Sequence, residues 1–311
     1  MSRVPTVVLL MGPTGAGKSD LALEIAERLA AEIVSVDSAM VYRGLDIGTA
    51  KPAREDRERI PHHLVDLLDP ADSYSAGQFV RDALSTMQAI QARDRLPLLV
   101  GGTMLYFHAL LNGLARLPSA DVEIRREIDA RLARDGSKAV HAELERIDPE
   151  AAARIHPNDP QRIQRALEVH RLTGRPISAL QRERLAPLAG ARVGRFVISP
   201  SRDELHERIG GRFERMMATG FLDEVARLHA RGDLTSDKPA IRAVGYRQLW
   251  QHLEGQTSLE EAVRNGIVAT RRLAKRQMTW LRALSRAEWL NSPTAAGERI
   301  LAWVAATAES A

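Results

Sequence analysis

Lys18 and Ser19 close an eight-residue run, Gly12-Pro-Thr-Gly-Ala-Gly-Lys-Ser19, spaced as G-x-x-x-x-G-K-[ST]. Residue types in that order suit one task. The glycines let backbone N–H groups turn inward around an anion, and a helix starting at the end of the run adds its positive dipole end. Lys18 supplies a point charge for the outer phosphate, and the Ser19 hydroxyl suits a Mg²⁺ ion bound to the same phosphates. Gly12, Pro13, Thr14, Gly15, Ala16, Gly17, Lys18 and Ser19 are therefore the expected binding residues for a di- or triphosphate. Asp37 is the second candidate. It follows the apolar run Glu32-Ile-Val-Ser-Val36, and in open α/β sheets ligands gather at the carboxyl ends of strands. Asp37 can assist the metal or act as a general base beside a bound phosphate ester. Thr103, in Val100-Gly-Gly-Thr103, either caps the next helix or points its hydroxyl into the same crevice.

The elements that position these residues follow from periodicity. Val7–Met11 reads as a strand, and the apolar residues of Asp20–Leu29 recur at helical spacing. The stretch 42–52 lacks clear periodicity and reads as a loop over the site. The stretch 62–68 reads as a short strand whose two histidines point to opposite faces, which makes them structural rather than metal ligands. Ser75 suits the N-cap of a helix over 76–93, and Leu98–Val100 is a third strand leading to a helix over 104–111. This order implies a P-loop-type parallel sheet flanked by helices. From 118 to 192 charged helices dominate with no convincing strand, so a helical insertion domain is expected there, the core being 1–117 with 193–311. Within it Asp159 caps a helix with Pro160 at its first position, carrying Arg162 and Arg165 one turn apart. A strand over 195–200 returns the chain to the sheet, helices follow, and Glu288–Leu290 is a possible last strand.

Composition narrows the partners. The chain of 311 residues is 44% apolar and 27% charged, with a net charge of +4, so a polyanionic partner is plausible. With no cysteine, disulfides and cysteine zinc sites are excluded. The apolar runs are too short to cross a bilayer, and the first strand leaves no room for a signal peptide, so a cytoplasmic protein is expected. From Ala262 to Ala287 there is no acidic residue. Arg264, Arg271, Lys275, Arg282 and Arg286 fall on one helical stripe, with Met278 and Trp280 among them. A solvated helix normally mixes charge signs, so a surface that tracks nucleic-acid phosphates is the sharper reading. Residue chemistry alone leaves two reactions open. In phosphoryl transfer by a kinase acting on a small hydroxylated metabolite or nucleoside, Asp37 would activate a hydroxyl. If the diphosphate itself leaves, Asp37 would deprotonate whatever attacks the carbon that carried it.

The run Gly12–Ser19 followed by Ser35-Val-Asp-Ser-Ala-Met-Val-Tyr-Arg-Gly-Leu-Asp-Ile-Gly-Thr-Ala-Lys-Pro52 resembles the tRNA dimethylallyltransferase family. So do Leu99-Val-Gly-Gly-Thr-Met-Leu-Tyr106, His156-Pro-Asn-Asp-Pro-Gln-Arg162 with Arg165-Ala-Leu-Glu168, Ala243-Val-Gly-Tyr-Arg247, and Thr270-Arg-Arg-Leu-Ala-Lys-Arg-Gln-Met-Thr-Trp-Leu-Arg282. The pattern is that of a bacterial member. Two departures occur, Gly15 for the family's alanine and Ser19 for its threonine, and Ser19 keeps the hydroxyl. The resemblance implies transfer of a dimethylallyl group from dimethylallyl diphosphate to N6 of adenosine 37 in tRNAs reading codons that begin with U, with Mg²⁺ as cofactor. Asp37, Thr103 and Lys18 would be the catalytic residues. The implied tRNA-binding set is Asp37, Ser38, Ala39, Met40, Thr103, Arg125, Gln161, Arg162, Ile163, Gln164, Arg165, Arg242, Arg247, Arg271, Lys275, Arg276 and Arg282. Arg162 and Arg165 would contact either tRNA or the diphosphate. The partner would be the anticodon stem-loop of tRNA, with the enzyme a monomer.

Overall fold

A computed structural model describes residues 5–115, 117–183 and 186–309. Contacts divide the chain into one unit made by Met1–His108 with Leu188–Ala311 and another made by Ala109–Pro187. The approximate bounds of 118 and 192 rest on chain breakers such as Pro118, whereas the first division falls inside a continuous helix.

The first unit is built on strand β1 (Thr6–Met11), buried from Val7 onward. A parallel strand covered on both faces carries an uninterrupted apolar run, as this one does. The other strands are β2 (Ala31–Val36), β3 (His62–His63), β4 (Leu96–Gly101), β5 (Arg192–Ile198) and β6 (Glu288–Leu290). All pair in parallel, in the order β3-β2-β4-β1-β5-β6. One register relation positions the site. Met11 and Val36 both pair with Gly101, so β1, β4 and β2 end in the same layer and their following loops leave the sheet side by side. Helix α1 (Lys18–Arg28) packs Leu21, Ala22, Ile25 and Ala26 into the sheet core, which also takes Ala296 and Ile300 of the last helix.

Between these strands lie the short α2 (Arg54–Arg59) and then α3 (Ala76–Gln91), α3 capped reciprocally by Ser75 and Gln78. The short α2 has no counterpart in the sequence reading, because it has no buried residue to give it a periodic face. Strand β3 stops after His63 because Leu64 and Asp66 take left-handed backbone conformations, φ 61 and 56. The longer strand expected over 62–68 is replaced by a turn, with Leu68 bridging to Tyr42 alone. Both histidines have protein partners, His62 Nδ1 at 2.7 Å from Ile60 O and His63 Nε2 at 2.7 Å from Glu32.

Helix α4 (Met104–Asn112) follows β4. The second unit is helical among its described residues: α5 (Val122–Asp135), α6 (Ser137–Ile147), α7 (Pro149–Arg154), α8 (Pro160–Thr173) and α9 (Ile177–Arg182). Asp159 caps α8 by accepting the Arg162 N–H, and Gly174 ends it at φ 67. Its core gathers Ile128, Val140, Leu144, Ile163 and Leu167.

Back in the first unit, α10 (Arg202–Ala218), α11 (Phe221–His229), α12 (Tyr246–Leu253) and α13 (Leu259–Arg282) form a second core with Val41, Tyr42 and Leu45. The last helix is α14 (Pro293–Glu309). Helix α13 ends at Arg282, and Arg286 sits beyond it at φ 60. The expected basic stripe therefore has four helical members, and Arg286 lies off it. Among the described residues no helix is long and apolar enough to cross a membrane.

Candidate active site

The phosphate loop leaves β1 where only glycine fits at its first position. A Cβ on Gly12 would lie 2.7 Å from the Ile198 carbonyl oxygen of β5. Gly15 and Gly17 take φ 83 and 85, the left-handed region open to glycine. Within the loop the Ala16 N–H donates to Pro13 O at 3.2 Å. Lys18 Nζ donates to Pro13 O at 2.7 Å. The exposed Ser19 hydroxyl makes no hydrogen bond among the described residues and can therefore take a ligand.

The neighbouring strand ends deliver the other candidates. Asp37 Oδ1 accepts the Ala39 N–H at 2.8 Å and the Met40 N–H at 3.4 Å. This fixes the turn after β2. Thr103 begins α4, and its N–H donates to Val36 O at 3.1 Å. Its Oγ1 accepts the Ser38 N–H at 3.1 Å. The hydroxyl thus spans from the end of β4 to the turn that holds Asp37, which favours the crevice reading over simple capping. Gln277 of α13 completes the arrangement. Its Oε1 accepts the Thr14 N–H at 2.9 Å, and its Nε2 donates to Gly102 O at 2.8 Å.

These groups open into a cavity of 1470 Å³ within the first unit. Its wall includes Arg208, Arg212 and Arg215, spaced four and three along α10 so that one face of that helix looks at the phosphate loop. Arg212 is half-buried, and its nearest acceptor is Thr49 O at 3.3 Å. Desolvation pulls its guanidinium below the usual arginine value, with Asp37 opposing. The same burial, together with Arg212, lowers the Lys18 ammonium to about 7, again opposed by Asp37. The cavity therefore holds cations that lack full compensation, and an anionic ligand relieves that cost. Arg242, Arg276 and the exposed Trp280 also line it.

The loop over the site is held by a carboxylate. Glu224 of α11 is buried and accepts from Asp46, Ile47 and Gly48 N–H at 3.0, 2.7 and 3.1 Å and from the Tyr246 hydroxyl at 2.5 Å. The stretch 46–53 forms one wall of the cavity.

The basic stripe points elsewhere. Arg271, Lys275 and Arg282 line a separate groove of 510 Å³ with Arg202, Arg272 and Met278. On the helical wheel this face lies roughly opposite Leu273, Gln277 and Trp280, which face the cavity. Among the described residues no carboxylate comes within 4.0 Å of Arg271, Arg272, Lys275, Arg276 or Arg282. Arg247 is exposed on α12.

In the helical unit, Arg125 and Arg165 both grip Glu168, whose side chain is fully buried. Arg125 Nε donates at 2.8 Å, Arg165 Nη1 at 2.5 Å, and the Asp121 N–H at 2.9 Å. Burial pushes the Glu168 carboxyl up, but these bonds outweigh it and hold it below the usual range. Arg162 pairs with Asp159 at 3.4 Å, Gln164 donates to Asp129, and Gln161 is exposed. Ile163 is a correction. It is wholly buried among Ile128, Val140 and Leu167, so its side chain serves the core and not a ligand surface.

Arg208, Arg212, Arg215, Glu224 and Gln277 escaped the sequence reading. The three arginines do follow helical spacing, but Glu207 and Glu214 interleave them on other faces and hide the one-sign run.

A parallel sheet, a G-x-x-x-x-G-K-S loop and a cation-walled cavity define a P-loop protein with a cavity suited to an anionic ligand. Comparison narrows the class. The IPP transferase family model matches residues 40–284, and the isopentenyl transferase model matches residues 5–64. The chain is 58% identical over 294 residues to the tRNA dimethylallyltransferase of Methylococcus capsulatus, covering 94% of each. It resembles the full-length tRNA isopentenylpyrophosphate transferase of Bacillus halodurans at TM-score 0.72 and 36% identity, over 98% of this chain and 97% of that one. A eukaryotic dimethylallyltransferase described as acting on tRNA gives TM-score 0.77 at 26% identity, over 92% and 73%. The chain belongs to the IPP transferase family.

Proposed function

We propose that this chain transfers a dimethylallyl group from dimethylallyl diphosphate to N6 of adenosine 37 in tRNAs reading codons that begin with U, releasing diphosphate. The observation that carries this reading, beside family membership, is the convergence of the phosphate loop, Asp37 and Thr103 on one cavity whose Lys18 and Arg212 lack full compensation. An adenine amine is a weak nucleophile because its lone pair is delocalised into the ring. As N6 bonds to the prenyl C1, the C1–O bond breaks, and the N6 proton passes to Asp37. Charge building on the departing diphosphate is met by Lys18, the loop N–H groups of Gly15, Gly17, Lys18 and Ser19, and Arg212 and Arg215. Ser19 would hold Mg²⁺ together with the diphosphate oxygens, an ion that supplies further charge for the leaving group. Thr103, tied to Ser38, orients the acceptor side.

The target base must leave its stack, which costs a few kcal/mol. Trp280, exposed at the cavity, offers a stacking face. Backbone contacts from Arg242, Arg247 and Arg276, from Arg271, Lys275 and Arg282 along the groove, and from Arg125, Gln161, Arg162, Gln164 and Arg165 would offset the remainder. The helical unit acts as the insertion domain that engages the anticodon stem-loop. The enzyme works as a monomer in the cytoplasm. A kinase finds less support, since β4 ends in Gly101-Gly-Thr103 with no carboxylate to organise a second metal contact.

The test supplies purified protein, Mg²⁺ and an anticodon stem-loop bearing adenosines at 36 and 37 with labelled dimethylallyl diphosphate, and in parallel with γ-labelled ATP. Label moving from the diphosphate to RNA supports the proposal. ATP turnover on a small acceptor without prenyl transfer would replace it.

A further inference from the structure

We infer that Gln277 is a positioning residue for the transfer reaction, setting the spacing between the leaving diphosphate and the base through a bridge between two strand-end loops. This rests on the reading above and names a residue that reading does not use.

The argument begins with the amide. Each of its two ends meets a backbone group of the opposite kind: Oε1 takes the Thr14 N–H, and Nε2 gives to Gly102 O. Thr14 and Gly102 belong to the loops after β1 and β4, adjacent strands that end in register at Met11 and Gly101. The bridge continues. Gly102 precedes Thr103, whose Oγ1 accepts the Ser38 N–H, and Ser38 follows Asp37. One path of hydrogen bonds thus runs from the diphosphate loop through Gln277 and Thr103 to the turn that carries the base. The fit is close. A Cβ on Gly102 would lie 2.5 Å from Gln277 Nε2, so that position has room for the amide only without a side chain.

Thr14 lies before the loop residues proposed to donate to the diphosphate, and its own N–H is taken by Gln277, so the bridge acts on where the loop sits and not on how many donors it offers. Loss of the bridge should therefore leave diphosphate affinity nearly intact while the reacting groups drift apart. Displacements of about 1 Å at reacting atoms lower rates by up to about 100-fold.

The experiment uses the full chain with Gln277→Met, of similar length without polar ends, and Gln277→Glu, which keeps the acceptor for Thr14 N–H but loses the donor to Gly102 O. Pyrophosphate affinity is measured by calorimetry, and single-turnover prenyl transfer at saturating stem-loop across pH 5.5 to 8. For Gln277→Met the expected result is a transfer rate lowered about 30-fold or more with pyrophosphate affinity within about threefold of wild type. For Gln277→Glu, the rate relative to wild type should rise as pH falls, because protonation restores a donor toward Gly102 O. A purely structural role would instead lower pyrophosphate affinity and transfer rate together in Gln277→Met. Wild-type transfer rates in Gln277→Met, a loss confined to pyrophosphate affinity, or a pH-independent Gln277→Glu ratio would each overturn the inference. Failure of the wild-type enzyme itself to transfer the prenyl group would instead overturn the proposed function.

Discussion

Lys18 Nζ donates to the Pro13 carbonyl at 2.7 Å, closing the phosphate loop on its own lysine. That ammonium titrates at about 7 because it is desolvated and faces Arg212. A bound diphosphate favours the charged form and raises this value, so binding takes up a proton above pH 7. Affinity should accordingly fall as pH rises from about 7. Calorimetric pyrophosphate titrations at pH 6, 7 and 8, in buffers of different ionisation heat, measure it. Lys18→Met should bind more weakly and show only the pH response of the ligand itself. In the free protein the sign is the reverse. The unfolded chain binds the Lys18 proton more tightly, so stability gains as pH rises from about 7 toward 10.5.

Asp37→Asn separates chemistry from folding. An asparagine Oδ1 can still accept the Ala39 and Met40 N–H groups, so the turn should persist. The transfer rate should drop by about 10²–10⁴, while a gel-shift or filter assay reads unchanged tRNA affinity. Lost tRNA binding would remove the general-base assignment.

Arg212 should trade stability for ligand. Its guanidinium is desolvated, and among the described residues Thr49 O at 3.3 Å is its one hydrogen-bond acceptor. Arg212→Met should weaken pyrophosphate binding by about tenfold or more and leave the free protein as stable as wild type or more so. Thermal melts with and without pyrophosphate report both effects.

Glu224→Gln tests the anchored loop. One of its two oxygens becomes an NH₂, so at least one of the Asp46, Ile47 and Gly48 N–H groups loses its acceptor. A buried unpaired donor costs about 1–3 kcal/mol. A lower urea midpoint with unchanged slope is the expected outcome.

The groove has its own signature. Reversing Lys275 and Arg282 should weaken tRNA binding and flatten its dependence on salt, by about one unit of slope per lost phosphate contact. Pyrophosphate affinity should hold, since both side chains face away from the cavity. An unchanged slope would take the groove out of the interface.

The phosphate loop and Asp37 are legible in the sequence because their chemistry sits in contiguous residues flanked by strands and helices of clear period. The sheet follows from the same runs, for a strand covered on both faces announces itself as apolar throughout. Gln277 is not legible, because nothing in a neutral residue inside a basic run says that its amide will meet Thr14 and Gly102 across 263 and 175 positions of chain. Glu224 is hidden for a related reason. Apart from the Tyr246 hydroxyl its partners are backbone N–H groups, which carry no side-chain signature. The basic stripe shows a third kind of gap. Helical spacing groups Arg271, Lys275 and Arg282 correctly, but only tertiary packing decides that this face borders the groove while Arg276, Gln277 and Trp280 border the cavity.

Helix α13 therefore works as a shaft whose phase matters more than its composition. Gln277 points to the cavity and Lys275 to the groove because the two are held about 160° apart around one axis. Substitutions can adjust either side independently. A single residue inserted or deleted near Ala274 would rotate everything beyond it by about 100°, turning Gln277 off the phosphate loop and Arg282 off the groove together. Over this stretch the chain should accept changes of side chain far more readily than changes of length.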